Sequence, residues 1–315
     1  TSKMTSEKRL GEALGHIAQA EKCMKTSFFK WNPDLDGAIS EYIKAATSFR
    51  NVKALSEARD AYVKAAELQQ RMNDPFHAAK SYEQAGFLSK ENNEIEKAVN
   101  FMEHATQMFQ EHGTPDTAAL CMDKAAKMVE TTHPSKAAEL YQRACEIAEL
   151  EDKSRQCAEF IGKAGRLLIK LQRYDEAISS LKKEIDFLKA AENYDQIKKV
   201  VIGLILLLLH NGDYVAAEQF FNSAISYTSF PESEEAEAME TLLSAYDEGD
   251  EDEARRILAL PLIKYMDNVF AKLARDLVIP GGVKKNKAQQ KGTTDAGNGA
   301  LGGVLDDEEL EGGLC

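Results

Sequence analysis

A chain of 315 residues that is 43% hydrophobic holds ample material for a buried core, and its formal net charge of -13 excludes nucleic acid as the main partner, because phosphate recognition draws on a basic surface. No apolar run approaches the roughly 18 residues that span a bilayer, and the first residues lack the apolar stretch of a signal peptide. The five cysteines, at 23, 121, 145, 157 and 315, are odd in number and form no CxxC pair, which fits a reducing cytosol.

In chain order, the first element is an amphipathic helix carrying Ala13, Ile17 and Ala20 on one face. After it comes Phe28-Phe29-Lys30-Trp31, ahead of the turn at Asn32-Pro33-Asp34. Large aromatics in a loop are costly to leave in water. They either tuck into the neighbouring helices, with Trp31 capping the N-terminal pair, or project into a lipid headgroup zone beside Lys25 and Lys30.

From Ala38 onward a cassette of alanine, a large apolar residue four places on and a small residue three further recurs about every twenty residues. It reads Ala38-Tyr42-Ala45, Ala58-Tyr62-Ala65, Ala78-Tyr82-Ala85, Ala98-Met102-Ala105 and Ala118-Met122-Ala125. Degraded copies follow at Ala137-Tyr141-Ala144, Ala158-Gly162-Gly165, Ala177-Leu181 and Ala217-Phe221-Ala224. Those offsets lie on one helical stripe, where alanine lets backbones approach and the larger side chain fills the adjoining groove. The unit predicts a helix of roughly 14 to 16 residues plus a short turn, hence hairpins of roughly forty residues stacked into an array. Six prolines, at 33, 75, 115, 134, 231 and 280, fall between cassettes, and Thr114-Pro115-Asp116 and His133-Pro134-Ser135 read as helix starts. Pro261 is the exception and breaks or kinks a late helix.

The longest apolar run, Val200 to Leu209, reads as a helix buried on all sides, and it marks a change, because the cassette loosens after about residue 195. The expected organisation is therefore an array over 1–195, a helical bundle over 196–280 and a flexible Gly-rich tail over 281–315. Between Glu232 and Glu253 stand eleven acidic residues and no Lys or Arg, which is either a solvated helix pair or a docking patch for a basic partner. In the tail, Gly297, Gly299 and Gly302 spell GxGxxG without the strand and helix that a dinucleotide site needs. The tail closes on Asp306, Asp307, Glu308, Glu309 and Glu311, then Gly312-Gly313-Leu314-Cys315, which is either solubilising charge or a short recognition motif. Cys315 is terminal, so no prenylation box is present.

Catalytic signatures are missing from the sequence. The six histidines form neither HExxH nor a Cys/His metal spacing, and there is no GxSxG elbow or GxxxxGK[ST] loop. No enzyme, metal, cofactor or small-molecule substrate is expected. A basic stripe does stand out: Lys124 and Lys127 share a helix face, as do Lys163, Arg166 and Lys170, and the two helices lie two cassettes apart. In an array that spacing makes them neighbours, either as a solvated face or as a groove for an elongated acidic partner.

With these features in this order, the chain resembles the soluble NSF attachment protein family, most closely its gamma form, over essentially its whole length. The resemblance rests on the Ala-x3-Tyr-x2-Ala-Ala hairpins, the loop from Thr26 to Trp31, Ala20-Glu21-Lys22, and the acidic tail ending in Gly-Gly-Leu-Cys. It implies an all-α, tetratricopeptide-like twisted array of antiparallel hairpins with a C-terminal helical bundle. It further implies a cytoplasmic adaptor, peripherally associated with membranes, that coats the four-helix SNARE bundle and recruits the hexameric ATPase N-ethylmaleimide-sensitive factor to unwind it. Carried over by position, Phe28 and Phe29, with Trp31 beside them, become the membrane contact. Asp247 and Glu248 become part of the ATPase-facing surface, and Asp306, Asp307, Glu308, Glu309 and Leu314 belong to a tail that stimulates the ATPase. Where the family carries basic SNARE contacts, Leu120 and Gly162 stand in this chain, so the basic character either moves to Lys124 and Lys163 or is lost; the stripe of Lys124, Lys127, Lys163 and Arg166 is the expected SNARE-binding surface. The alternative is a tetratricopeptide-like co-chaperone or scaffold that holds a peptide in its groove.

Overall fold

The computed structural model describes residues 2–26 and 31–280, and the tail over 281–315 lies outside the described residues. It comprises α1 (Ser2–Met24), α2 (Leu35–Asn51), α3 (Leu55–Arg71), α4 (Pro75–Glu91), α5 (Ile95–Glu111), α6 (Pro115–Val129), α7 (Pro134–Glu149), α8 (Ser154–Lys170), α9 (Tyr174–Ala190) and α10 (Tyr194–His210). These are followed by α11 (Tyr214–Ala224), α12 (Glu234–Glu248), α13 (Glu251–Leu258), α14 (Pro261–Lys264) and α15 (Asn268–Asp276). From α1 to α11 each helix packs on the next, the pattern of a stacked hairpin array. No strand occurs among the described residues.

The cassette residues do what their sizes predict. Ala38, Ala45, Ala58, Ala65, Ala78, Ala85, Ala98 and Ala105 are wholly buried, and Tyr42, Met102 and Met122 fill the space between them. The helices are longer than the predicted 14 to 16 residues: α2, α3, α4, α5, α8, α9 and α10 each have 17. The difference lies in the turns. Lys53, Asn73, Asn93, Gly113, Asp152, Gln172, Glu192 and Gly212 all take positive φ, one per turn. At each, the next amide bonds back to a carbonyl five residues earlier, as Ala54 N–H does to Phe49 O at 3.0 Å and Asp74 N–H to Gln69 O at 3.0 Å. This Schellman closure satisfies the last carbonyls with one left-handed residue, so only three residues separate successive helices from α2 to α6 and from α8 to α11, and four separate α7 from α8. The α6–α7 junction is the exception. There the cassette spacing shortens from Ala118 to Ala137, and His133 N–H bonds to Val129 O at 2.7 Å with no positive φ.

Pro115 and Pro134 open α6 and α7 as expected, but Thr114 does not cap: its hydroxyl donates back to Phe109 O at 2.9 Å. Pro261 opens the four-residue α14 and so divides it from α13. Val200 through Leu209 are buried in α10, which packs against α9, α11, α12 and α15. One apolar core runs from Ala66 to Ile279, so the change of regularity near α10 is not a break in the core. A Cβ on Gly203 would lie 2.6 Å from the Phe270 ring, so the missing side chain is what seats α15 on α10. Among the described residues no helix is long and apolar enough to cross a membrane.

Candidate functional site

The forty-residue period places equivalent positions of α4, α6, α8 and α10 side by side on one face. At one register position it carries Glu83, Asp123, Lys163 and Gly203 in turn. Three of the helices open to solvent along a single stripe each. The exposed residues of α4 include His77, Lys80 and Lys90; those of α6 are Asp116, Leu120, Lys124 and Lys127; those of α8 are Arg155, Glu159 and Lys170, with Lys163 and Arg166 half-buried between them. The stripe stops at α10, where Phe270 of α15 covers Gly203.

Beneath this row of cations lie buried carboxylates. Lys124 Nζ donates to Glu83 Oε1 at 2.5 Å, and Lys80 reaches the same carboxylate at 3.9 Å. Asp123 is shared: Lys127 Nζ lies 2.6 Å from its Oδ2 and Lys163 Nζ lies 2.9 Å from its Oδ1. Lys163 also donates to Glu159 at 2.6 Å and stands over the Tyr141 and Phe160 rings. Burial pulls the Lys163 ammonium down, but Glu159 and Asp123 outweigh it and hold the group above the usual lysine value. Lys124, Lys127 and Lys163 are thus brought together as expected, and each is anchored from below. Because Glu83 and Asp123 are 4% and 5% exposed, the solvent-facing side of the ladder presents mainly the ammonium groups.

Arg166 is placed differently from the three lysines. Its Nη1 donates to Glu184 Oε2 at 2.9 Å and its Nη2 to Glu184 Oε1 at 3.1 Å, a bidentate pair of the strong kind. The guanidinium also lies 3.6 Å from Asp267, at the start of α15, and packs on the Phe270 ring. Burial raises the Glu184 carboxyl above its ordinary value, and Arg166 pulls it back. Arg166 therefore joins α8, α9 and α15, with only an edge open to solvent. A Cβ on Gly162 would fall 2.6 Å from Glu184 Oε1 and 2.7 Å from Arg166 Nη1, so the glycine makes the room for this pair.

The acidic run divides by helix position. Glu234, Glu235 and Glu237 occupy the first turn of α12, and Glu251, Asp252 and Glu253 that of α13. There the helix dipole favours negative charge. Asp250 caps α13 by accepting from Glu253 N–H at 3.0 Å. Asp247 and Glu248 are the opposite case: they are exposed at the C-terminal end of α12, where the dipole disfavours them, and the last turn holds no base. Helix stability explains most of the run but not these two.

Trp31 is 83% exposed and does not cap the N-terminal helix pair. Phe28 and Phe29 lie outside the described residues, as do Asp306, Asp307, Glu308, Glu309 and Leu314. On the other side of the array, α7 and α9 border an open groove of about 580 Å³. Its rim carries Glu146, Glu149, Asp175, Glu176 and Asp186 against Lys183. The two faces therefore differ in sign. The residues that sequence reasoning missed are Glu83, Asp123 and Glu184; for the first two the available signal was a charged residue recurring at forty-residue spacing among buried positions, and Glu184 lies outside that register. Cys121 and Cys145 are buried thiols that burial pushes up to about 12, which removes them from nucleophilic roles.

The family profile described as "Soluble NSF attachment protein, SNAP" matches residues 11–259. A gamma-soluble NSF attachment protein of Dictyostelium discoideum is 30% identical over 280 residues, covering 89% of this chain and 86% of the relative. Another, from Arabidopsis thaliana, is 28% identical over 267 residues, covering 83% and 90%. Among solved structures, BtubC (BKLC) from P. vanneervenii aligns with a TM-score of 0.38 at 16% identity, covering 72% of this chain and 95% of that one, a likeness too loose to carry an argument.

Proposed function

This chain belongs to the soluble NSF attachment protein family, and on that premise we propose that it is a non-catalytic adaptor between SNARE bundles and the ATPase N-ethylmaleimide-sensitive factor. In this reading the stripe of α4, α6 and α8 lies along the acidic surface of a SNARE bundle, with Lys124, Lys127 and Lys163 as the contacts and Arg166 at their edge. The observation that carries it is the lysine ladder itself. Cations held in place by buried carboxylates lose little freedom on binding, and charge spread over three helices accepts many bundles of similar shape.

Asp247 and Glu248 dock the hexameric ATPase in the same reading. The tail from Asp306 through Glu309 to Leu314 stimulates it, because a tethered segment reaches a second site at high effective concentration. Bundle disassembly by the ATPase follows. Phe28, Phe29 and Trp31 supply a peripheral membrane contact, for which the exposure of Trp31 is the support.

The test is capture of a purified SNARE bundle at rising salt. Wild-type chain should hold the bundle less tightly as salt increases, and Lys124→Glu with Lys127→Glu should weaken capture at least tenfold at low salt. Capture indifferent to both salt and charge reversal would refute the assignment of this face.

A further inference from the structure

On the lysine face each buried carboxylate meets a cation: Glu83 has Lys124, Asp123 has Lys127 and Lys163, and Glu184 has Arg166. The groove between α7 and α9, on the other side of the array, departs from that pattern. Five acids and one base, Lys183, line it. Glu176 and Asp186 pair with residues beyond the lining, Arg173 at 2.6 Å and Lys189 at 3.6 Å. Glu146, Glu149 and Asp175 are exposed and form no ion pair with any described residue, and neither does Lys183. Glu146 and Asp186 also stand at one register position of neighbouring helices, forty residues apart, where like charges repel. Buried Cys145 and Ile161, with half-buried Phe187, give the groove an apolar floor. Through Asp186 it adjoins a second recess of about 390 Å³ between α9 and α11.

The chain itself carries a segment of matching charge. Between Pro280 and Asp295 the only ionisable side chains are Lys284, Lys285, Lys287 and Lys291. These four lie outside the described residues, but the point from which the chain departs toward them is fixed. Leu277 O accepts from Arg255 Nη2 at 2.8 Å, and Ile279 is buried. Just before it, α15 packs on α10 and α8, the two neighbours of α9. Passing from there to the groove crosses about two helix diameters, roughly 20 Å. Lys284 to Lys291 stand four to eleven residues beyond Pro280, a reach of roughly 14 to 38 Å.

Exposed ion pairs contribute little each, too little to hold a separate basic peptide firmly. A tethered segment needs far less, because a short linker keeps it at an effective concentration in the millimolar range. We therefore propose that the groove between α7 and α9 is the docking site of the chain's own lysine-rich segment, residues 284–291, held by Glu146, Glu149 and Asp175 with the lysine stems along the apolar floor. This contact needs neither the SNARE nor the ATPase reading. It returns the chain to the face opposite the lysine ladder and sets the point from which the acidic stretch beginning at Asp306 is tethered.

The test is zero-length carbodiimide coupling of lysines to carboxylates in the dilute full chain, with linked peptides read by mass spectrometry. Lys97 and Glu94, 2.7 Å apart, are the pair that reports working chemistry. At about 20 mM NaCl, Lys284, Lys285, Lys287 or Lys291 should link to Glu146, Glu149 or Asp175, and about 500 mM NaCl should abolish the links. Glu146→Lys with Glu149→Lys should lower the yield at Asp175 about tenfold. Tm should not fall, since both positions are exposed and Glu149 ends α7, where a base suits the helix dipole. Links from the same lysines mainly to Asp247, Glu248 or Glu251 would overturn the proposal, because the segment would then lie on α12 and α13. Absence of the links while Lys97 and Glu94 couple, a yield at Asp175 indifferent to the charge reversal, or links found only between two copies of the chain would overturn it as well.

Discussion

The lysine face and the acidic end of α12 are both charged surfaces, yet the fold treats them in opposite ways. On the first, Lys124, Lys127 and Lys163 close over buried Glu83 and Asp123, so the charges exposed on this face also neutralise the interior. On the second, Asp247 and Glu248 sit at a helix C-terminus that electrostatics alone would fill with bases. The contrast separates two kinds of charge. Removal of a ladder cation damages the fold and the surface together, whereas Asp247 and Glu248 are exposed, and their one side-chain bond among the described residues is the hydrogen bond Glu248 accepts from Ser244 at 3.0 Å.

The sharpest way to break that contrast is at Arg166, where the face meets the C-terminal helices. Arg166→Met leaves Glu184, which is 4% exposed, without its partner. A broken buried pair of this kind destabilises by roughly 3 to 5 kcal/mol, and Tm should fall by roughly 10 °C. Replacing both partners, Arg166→Met with Glu184→Leu, should restore most of the stability, because an apolar pair has no unpaired charge to bury. Thermal melts of the two variants check both statements.

A smaller effect follows at Lys163. Lys163→Met leaves Asp123 with Lys127 still 2.6 Å away, so the expected loss is about 1 to 2 kcal/mol, accompanied by weaker capture of the bundle. Denaturant unfolding and bundle capture on the same preparation read the two losses together. The smallest stability effect belongs to Asp247→Lys with Glu248→Lys. It should leave Tm unchanged or slightly raised, since it brings positive charge to a helix C-terminus. A marked fall in Tm for this pair would erase the distinction between the two surfaces.

Most of the architecture was legible because it repeats. Alanines at twenty-residue spacing, prolines between them and the apolar run at Val200 to Leu209 each have one mechanical meaning in a stacked array, and the structure places them accordingly. The turns were less legible. Lys53, Gln172 and Glu192 take a left-handed conformation that their side chains do not advertise, so three-residue turns and 17-residue helices were not foreseen. At the site, the shared face of Lys124 and Lys163 followed from helical spacing, but the carboxylates beneath did not. Glu83 and Asp123 look like ordinary surface residues until the neighbouring helix supplies their lysines. Arg166 shows the same limit in reverse: its spacing places it on the stripe, and only the folded positions of Glu184 and Asp267 reveal that it ties three helices together.

The central claim is that bundle capture and ATPase recruitment are carried by separate surfaces. Its most direct test is a pull-down in which immobilised SNARE bundle is loaded with wild type or with the Asp247→Lys, Glu248→Lys variant, then offered the ATPase N-ethylmaleimide-sensitive factor. The account predicts equal capture of the two adaptors by the bundle and recruitment of the ATPase by wild type alone. Equal recruitment by both adaptors, or loss of bundle capture by the variant, would contradict it.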